Sequence, residues 1–337
     1  MLERNIIVVG ASAGGVETLS QLVKALPADL PAAVFVTLHF PSYATSMLPQ
    51  ILNRCHTLPA LHANDGDPIE PGRVYIAPPD YHLLLDNGHI RLDRGPRENG
   101  HRPAVDVMFR SAAQSYGQRT IGVILSGMLD DGTAGLKLIK AHGGVAIVQD
   151  PNEALFDGMV TSAIKNVKVD AILRLSDLAA QLVVLSQNPV EKDTPMSTNL
   201  EQEAEIVAQS KAKLEQGEHP ETSPSMVTCP DCGGVLWELR DNGLIRYRCH
   251  VGHAYSSDSL LSGQTDLVEA SLWSAVRALE EKAALAVRMA KQAQEQKRMY
   301  SEAQFLRRAE EARQQANVVR GVIATQIEPM QQVKDEG

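Results

Sequence analysis

Over roughly the first 186 residues, short apolar runs alternate with longer stretches whose apolar positions recur every three or four residues. The runs are too short for helices and are bounded by glycine, proline and polar residues. They predict strands at 5–9, 33–38, 73–77, 121–126, 144–149 and 170–173. The periodic stretches predict helices at 15–26, 44–54, 105–116, 133–141 and 175–186. Such alternation implies βαβ units, and hence an α/β fold: a doubly wound, mostly parallel sheet with helices on both faces. A small hairpin is expected at 82–93, and Gly95-Pro96-Arg97-Glu98-Asn99-Gly100 reads as an exposed loop beyond it.

From 187 to about 227 the pattern fails. Pro189, Pro195, Pro220 and Pro224 interrupt a polar stretch that reads as linker, with room for one helix at 199–215. Residues 228–256 form a small cysteine-rich unit. In 265–325 apolar residues recur at Val268, Leu272, Val276, Leu279, Ala283, Val287 and Ala290, then from Leu306 to Ile323, which draws one stripe along a helix. This C-terminal helical tail becomes a hairpin if the polar patch Gln294 to Tyr300 turns the chain. It serves either as a packing unit or as a coiled coil that recruits a signalling partner.

Composition narrows the function classes. A chain of 337 residues suggests two or three units, and 44% hydrophobic residues suffice for a real core. The net charge of −9 argues against a nucleic-acid partner. No apolar run approaches bilayer length, so the protein is not expected to be membrane-embedded. The N-terminus lacks the features of a signal peptide, and four cysteines, three of them late in the chain, do not resemble a disulfide framework. A cytoplasmic location is expected.

The candidate chemistry begins at Gly10-Ala11-Ser12-Ala13-Gly14-Gly15, between a strand and a helix. Gly-x-Ser-x-Gly in that setting is a nucleophile elbow, which lifts a serine clear of its neighbours. A dinucleotide fingerprint wants glycine at Ser12 and an acid after the second strand, where His39 stands; a P-loop wants lysine where Val16 stands. A serine that merely caps the helix is the bland alternative. Serine needs a base and an orienting group to react. Adjacent strands lie about 4.8 Å apart, so His39, at the end of the second strand, falls near Ser12 if the two strands are neighbours. Asp130 and Asp131 follow the strand at 121–126 on the same edge, though either could simply cap the next helix. His82 and His101 are the rivals to His39.

Six segments then agree with one family. They are Val-Gly-Ala-Ser-Ala-Gly-Gly (9–15), Leu-His-Phe-Pro (38–41), Tyr-Ile-Ala-Pro-Pro-Asp-Tyr-His (75–82), His-Arg-Pro-Ala-Val-Asp-Val-Met-Phe (101–109), Gly-Val-Ile-Leu-Ser-Gly-Met-Leu-Asp-Asp-Gly (122–132) and Phe-Asp-Gly-Met (156–159). From Ile6 to about Leu185 the chain resembles the catalytic domain of the chemotaxis protein-glutamate methylesterases, the CheB family. The resemblance implies Ser12 as nucleophile, His39 as base and Asp131, which directly precedes the glycine, as orienter. It implies hydrolysis of glutamyl γ-methyl esters on the helical cytoplasmic bundle of a chemoreceptor, with glutamine deamidation by the same chemistry. Backbone N–H groups of Ala13 and Met128 are expected to hold the oxyanion. Ala13, Leu129 and Val160 depart from the family's usual threonine, glycine and proline. Well-studied members carry an N-terminal receiver domain, and this sequence begins at the first catalytic strand, so a stand-alone form is expected. The alternative is a catalytically inactive scaffold whose C-terminal parts recruit partners.

Cys229-Pro-Asp-Cys232 and Cys249-His250-Val-Gly-His253 have zinc-ribbon spacing. The expected ligands of a structural Zn2+ are Cys229, Cys232, Cys249 and His253, with His250 the lesser choice for the fourth. Four protein ligands leave no open position, so a catalytic zinc is not expected; no other cofactor for catalysis is expected. The lone Cys55 reads as a buried small hydrophobe.

Overall fold

The structure is a computed structural model that describes residues 2–40, 45–190, 223–241 and 244–327. The helix expected at 199–215 lies outside the described residues. Contacts divide the chain into two compact units, one ending at Leu260 and the other beginning at Leu261.

Within the first unit, β1 (Leu2–Glu3) is followed by β2 (Ile6–Ala11), α1 (Gly15–Ala25), β3 (Ala33–Leu38), α2 (Leu48–Asn53), β4 (Ala60–His62) and β5 (Val74–Ile76). Next come the hairpin β6 (His82–Asp86) and β7 (His89–Asp93), then α3 (Val105–Tyr116), β8 (Thr120–Ile124), α4 (Thr133–Ala141) and β9 (Val145–Gln149). The α/β part ends with α5 (Gly158–Asn166), β10 (Ala171–Leu173), α6 (Leu175–Ser186) and β11 (Pro189–Val190), which pairs antiparallel with β1.

Seven strands form one parallel sheet in the order β10-β9-β8-β2-β3-β5-β4. Every residue of β2 and β3 is buried, because helices cover both faces of a parallel sheet. Side chains alternate between two cores. Ile6 and Val8 pack with α3, α4 and α5 residues such as Met108, Phe109, Ile139 and Met159. Ile7, Val9 and Ala11 pack with Leu19, Leu22, Leu52 and Leu178 of α1, α2 and α6. Each fully buried side chain of this size stabilises the fold by about 1.5–3 kcal/mol. The six sequence-predicted strands all lie in this sheet. The three-residue edge strand β4 and the helix α5 were not anticipated, and among the described residues of 44–54 the helix covers Leu48–Asn53. Cys55 is partly buried, not fully, and its thiol donates to the Ser20 carbonyl at 3.4 Å.

β2 lies between β3 and β8, whose chain connections run in opposite directions from it. This reversal opens a crevice at the carboxyl ends of the three central strands, the usual place for a ligand in such sheets.

The remaining strands of the unit, β12 (Ser223–Thr228), β13 (Val235–Asp241), β14 (Leu244–Cys249) and β15 (Ala254–Ser256), make a four-stranded antiparallel sheet. Cys229, Leu236, Cys249, Tyr255 and Leu260 form its small core. Ser256 caps the following helix, α7 (Ser257–Glu295), by accepting the Ser259 N–H on Oγ at 3.0 Å.

In the second unit, α7 breaks near Lys297 (φ 57°) before α8 (Met299–Ile327), within the polar patch flagged by the sequence. Ala283, Ala286, Ala290 and Ala293 of α7 and Ala309, Ala312 and Ala316 of α8 are buried, and Arg320 pairs with Glu280. No helix among the described residues is long and apolar enough to cross a membrane.

Candidate active site

The strand-to-helix turn after β2 is tight. Ser12 donates its N–H to the Ser126 carbonyl at 3.0 Å and accepts the Gly15 N–H at 2.9 Å. Gly14 takes the left-handed conformation (φ 73°) that starts α1. On the β8 side, a Cβ on Gly127 would sit 2.1 Å from Met159 Sδ and 2.9 Å from Ser12 Cβ, so the approach of that loop to the serine demands glycine.

His39 follows β3 and Asp131 follows β8, so three adjacent strand ends meet. Ser12 Oγ lies 3.0 Å from His39 Nδ1, and His39 Nε2 lies 2.7 Å from Asp131 Oδ2. A carboxylate can only accept, so Nε2 carries the proton, and Nδ1 is left with a lone pair that accepts from the serine hydroxyl. That arrangement suits a base waiting for a serine proton.

The Asp131 carboxylate is locked on every side. Oδ2 also accepts the Val105 N–H at 2.7 Å, while Oδ1 accepts the Asp106 N–H at 3.2 Å and Asn99 Nδ2 at 2.8 Å. Val105 and Asp106 open α3, whose positive end favours the charge. Burial alone would raise the Asp131 pKa. The hydrogen bond and charge of His39, together with His101 and the Val105 N–H, outweigh it and hold the carboxyl well below the usual range.

The rival residues take other places. Asp130 turns away from His39, and its Oδ1 accepts Ser256 Oγ at 2.6 Å and Ser259 Oγ at 3.0 Å. His82 is fully buried and bonded to the Pro96 carbonyl at 3.0 Å, a core histidine. His101 stacks on His39 with ring centroids 3.7 Å apart, and burial, then the repulsion the two rings would feel if both were protonated, push its pKa down to about 3. A neutral ring therefore supports the face of His39.

Asp130 provides a stability test. Burial pushes its pKa from 3.8 up to about 6, against the two serine hydroxyls that lower it. The native state then binds the extra proton, so stability falls as pH rises from about 4 to about 6. Asp130→Asn keeps an acceptor for both serines but removes this titration. Its stability relative to the parent should rise by about 2–3 kcal/mol across that window. Urea unfolding at several pH values measures this; a constant difference would show that Asp130 is not perturbed.

Of the expected oxyanion donors, Ala13 directly follows Ser12, and its carbonyl accepts Ser126 Oγ at 2.9 Å. Met128 is half exposed beside Gly127, whose own N–H is taken by the Phe156 carbonyl at 2.9 Å. Leu129 adopts φ 59°, the conformation for which glycine is better suited.

No pattern in the sequence marks Asn99. Its loop was expected to be exposed, yet Glu98 and Asn99 are buried. The covering residues come from more than a hundred positions downstream, and no local signal marks them.

The cysteine pairs sit on two hairpin loops, each turned by a glycine of positive φ, Gly233 (71°) and Gly252 (107°). Donor atoms of Cys229, Cys232, Cys249 and His253 all lie within 4.8 Å of one another. Metal–sulfur bonds of about 2.3 Å in a tetrahedron imply ligand separations of about 3.8 Å. Cys232 and Cys249 sulfurs are 3.7 Å apart, and His253 Nδ1 is 3.7 Å from Cys229 Sγ and 3.5 Å from Cys249 Sγ. The donor set is compatible with a structural metal; His250 is exposed and outside it.

Comparison with known proteins places the α/β part in a family. Residues 7–182 match the CheB methylesterase family model. A protein-glutamate methylesterase/protein-glutamine glutaminase of Methanosarcina mazei is 38% identical over 188 residues, 53% of this chain and 51% of that protein. A putative protein-glutamate methylesterase/protein-glutamine glutaminase of Leptospira interrogans is 36% identical over 187 residues, 55% of this chain and 97% of its own length. The crystal structure of the Thermotoga maritima CheB methylesterase catalytic domain superposes with a TM-score of 0.52 at 37% identity, covering 54% of this chain and 98% of that one. The chain spans about half the length of curated relatives such as the Methanosarcina protein. With its parallel sheet, its strand-end serine and a family match across half of its length, the chain belongs to the CheB methylesterase family.

Proposed function

We propose that the α/β part is a serine hydrolase that removes methyl esters from glutamate γ-carboxylates of a chemoreceptor, and deamidates glutamine by the same route. The observation that carries this reading is the hydrogen-bonded chain Ser12–His39–Asp131 on the open edge of the sheet. His39 Nδ1 takes the hydroxyl proton as Oγ attacks the ester carbonyl. The resulting imidazolium is held by Asp131 through Nε2–H. The N–H groups of Ala13 and Met128 hold the oxyanion; each such donor is worth about 10²–10³ in rate. The C–O bond to methoxide breaks as Nδ1–H protonates it, and methanol leaves. Water then adds to the acyl-serine with His39 again as base, restoring Ser12 and releasing glutamate. With a glutamine substrate, ammonia leaves in place of methanol.

Exposed Met128, Leu155 and Phe156 surround the serine turn. An apolar rim of this kind suits a substrate presented on an amphipathic helix, as in a receptor bundle. Incubating the full-length protein with a methyl-esterified receptor cytoplasmic fragment should release methanol. No release from a fragment that another methylesterase can demethylate would overturn the assignment.

The metal fitting the Cys/His cluster is zinc, which soft thiolates and an imidazole select. Cys229, Cys232, Cys249 and His253 would hold it. Bound there, it pins two loops and supplies no reaction chemistry. Purified protein should contain about one zinc per chain, and Cys232→Ser should lower that content and the melting temperature together. Full stability without metal would rule it out.

A further inference from the structure

All the buried Asp, Glu and Arg side chains among the described residues fall in one cluster behind the Ser12–His39–Asp131 chain. The α/β part contributes four acids, Glu98, Asp106, Asp130 and Asp131, but a single base, Arg110. The other two bases, Arg246 and Arg248, come from β14 of the Cys/His unit. Arg246 Nη1 donates to Asp106 Oδ2 at 2.7 Å and Nη2 to Glu98 Oε2 at 3.2 Å, while Arg248 Nη2 reaches Glu98 Oε1 at 3.3 Å.

Asp106 is one bond from the site. Asn99 Nδ2 bridges Asp106 Oδ2 at 3.1 Å and Asp131 Oδ1 at 2.8 Å. The same asparagine is gripped by β15: its N–H donates to the Ala254 carbonyl at 2.7 Å, and its Oδ1 accepts the Ser256 N–H at 2.9 Å. Segment 97–99 thus meets the edge of the Cys/His sheet through one parallel bridge between Glu98 and Ala254. Two buried carboxylates sharing one amide, with no cation beside them, would be costly. Arg246 bonds Asp106 directly and Arg110 adds its charge nearby, so Asp106 can stay in place and keep Asn99 aimed at Asp131.

We propose that Arg246 is a positioning residue of the esterase site, holding Asp131 on His39 through Asp106 and Asn99, so that the Cys/His unit forms the rear wall of that site. This rests on the hydrolase reading above. Arg246 is buried and bonded to Asp106 and Glu98, so its loss should act on the chemical step and leave substrate binding unchanged.

The test uses the full-length chain. Arg246→Gln removes the charge and keeps a donor; Arg246→Lys keeps the charge and loses the two-pronged reach. Methanol release is measured alongside the downfield proton resonance of the His39–Asp131 hydrogen bond, assigned by its loss in Asp131→Asn. The Gln variant is expected to lose about 10–10²-fold in kcat at unchanged KM, with a displaced proton signal. Lys should fall between Gln and the parent in both readouts. If the Gln protein does not fold, Lys alone decides: lowered kcat with a displaced signal upholds the proposal. A lower melting temperature with parental kcat and signal would reduce Arg246 to a structural role and overturn it. Should the parent release no methanol, the hydrolase reading fails, while the proton signal still reports whether Arg246 positions Asp131.

Discussion

Ser12→Ala is expected to lower kcat for methyl-ester hydrolysis by about four to six orders of magnitude with the fold intact. In the proposed mechanism the hydroxyl is the group that becomes acylated, and alanine would offer nothing for His39 to deprotonate. Its removal leaves the turn unaltered, because that geometry depends on the Ser12 N–H and carbonyl and on Gly14, all retained by alanine. Residual rate would come from the oxyanion donors and from substrate positioning. Methanol release by the purified variant, with its circular dichroism and melting curve, provides the check. Release within tenfold of the parent, from a folded protein, would mean that another group is the nucleophile.

Asp131→Asn should cost about 10⁴ in kcat, for a reason visible in the hydrogen bonds of one carboxylate. Both oxygens accept two N–H donors each, from His39, Val105, Asp106 and Asn99. An amide NH₂ in either place points a donor at donors. The cheapest relief is for His39 to shift its proton from Nε2 to Nδ1, which leaves no lone pair facing Ser12. The enzyme keeps its shape and loses its base. The variant should also be less stable at neutral pH. The native Asp131 pKa is depressed, so its charge contributes stability above the unfolded value of about 3.8, and that contribution is lost as pH falls toward the native pKa. The deficit of the variant should therefore shrink in acid. Unfolding curves at pH 7 and at about pH 3 measure it; an equal deficit at both would detach the effect from ionisation.

Parts of this architecture were legible because they are local. The runs at Ile6–Val9 and Ala33–Leu38 read as strands since a doubly covered parallel strand must be apolar at every position. The glycines around Ser12 marked a tight turn, and the cysteine spacings marked two knuckles, each closed within a few residues. His39 was located by supposing that β2 and β3 are neighbours, and in the sheet they are. The choice of Asp131 over Asp130 came from the family resemblance; residue types on adjacent positions gave no means of separating them.

What lay beyond the sequence was whatever depended on distant chain segments meeting. The edge strand Ala60–His62 is too short to carry a period, and its existence follows from pairing with Val74–Ile76. Glu98 and Asn99 sit in a stretch of glycine, proline and charge that has every mark of a solvated loop, and Arg246 and Arg248 alternate along β14 like the outer face of a strand. Local pattern reports how a segment folds against itself, so it determined the strands, the serine turn and the knuckles. The burial of opposite charges depends on which surfaces meet, and tertiary structure alone brought two outward-looking arginines against Glu98 and Asp106 and set a loop asparagine on the Asp131 carboxylate.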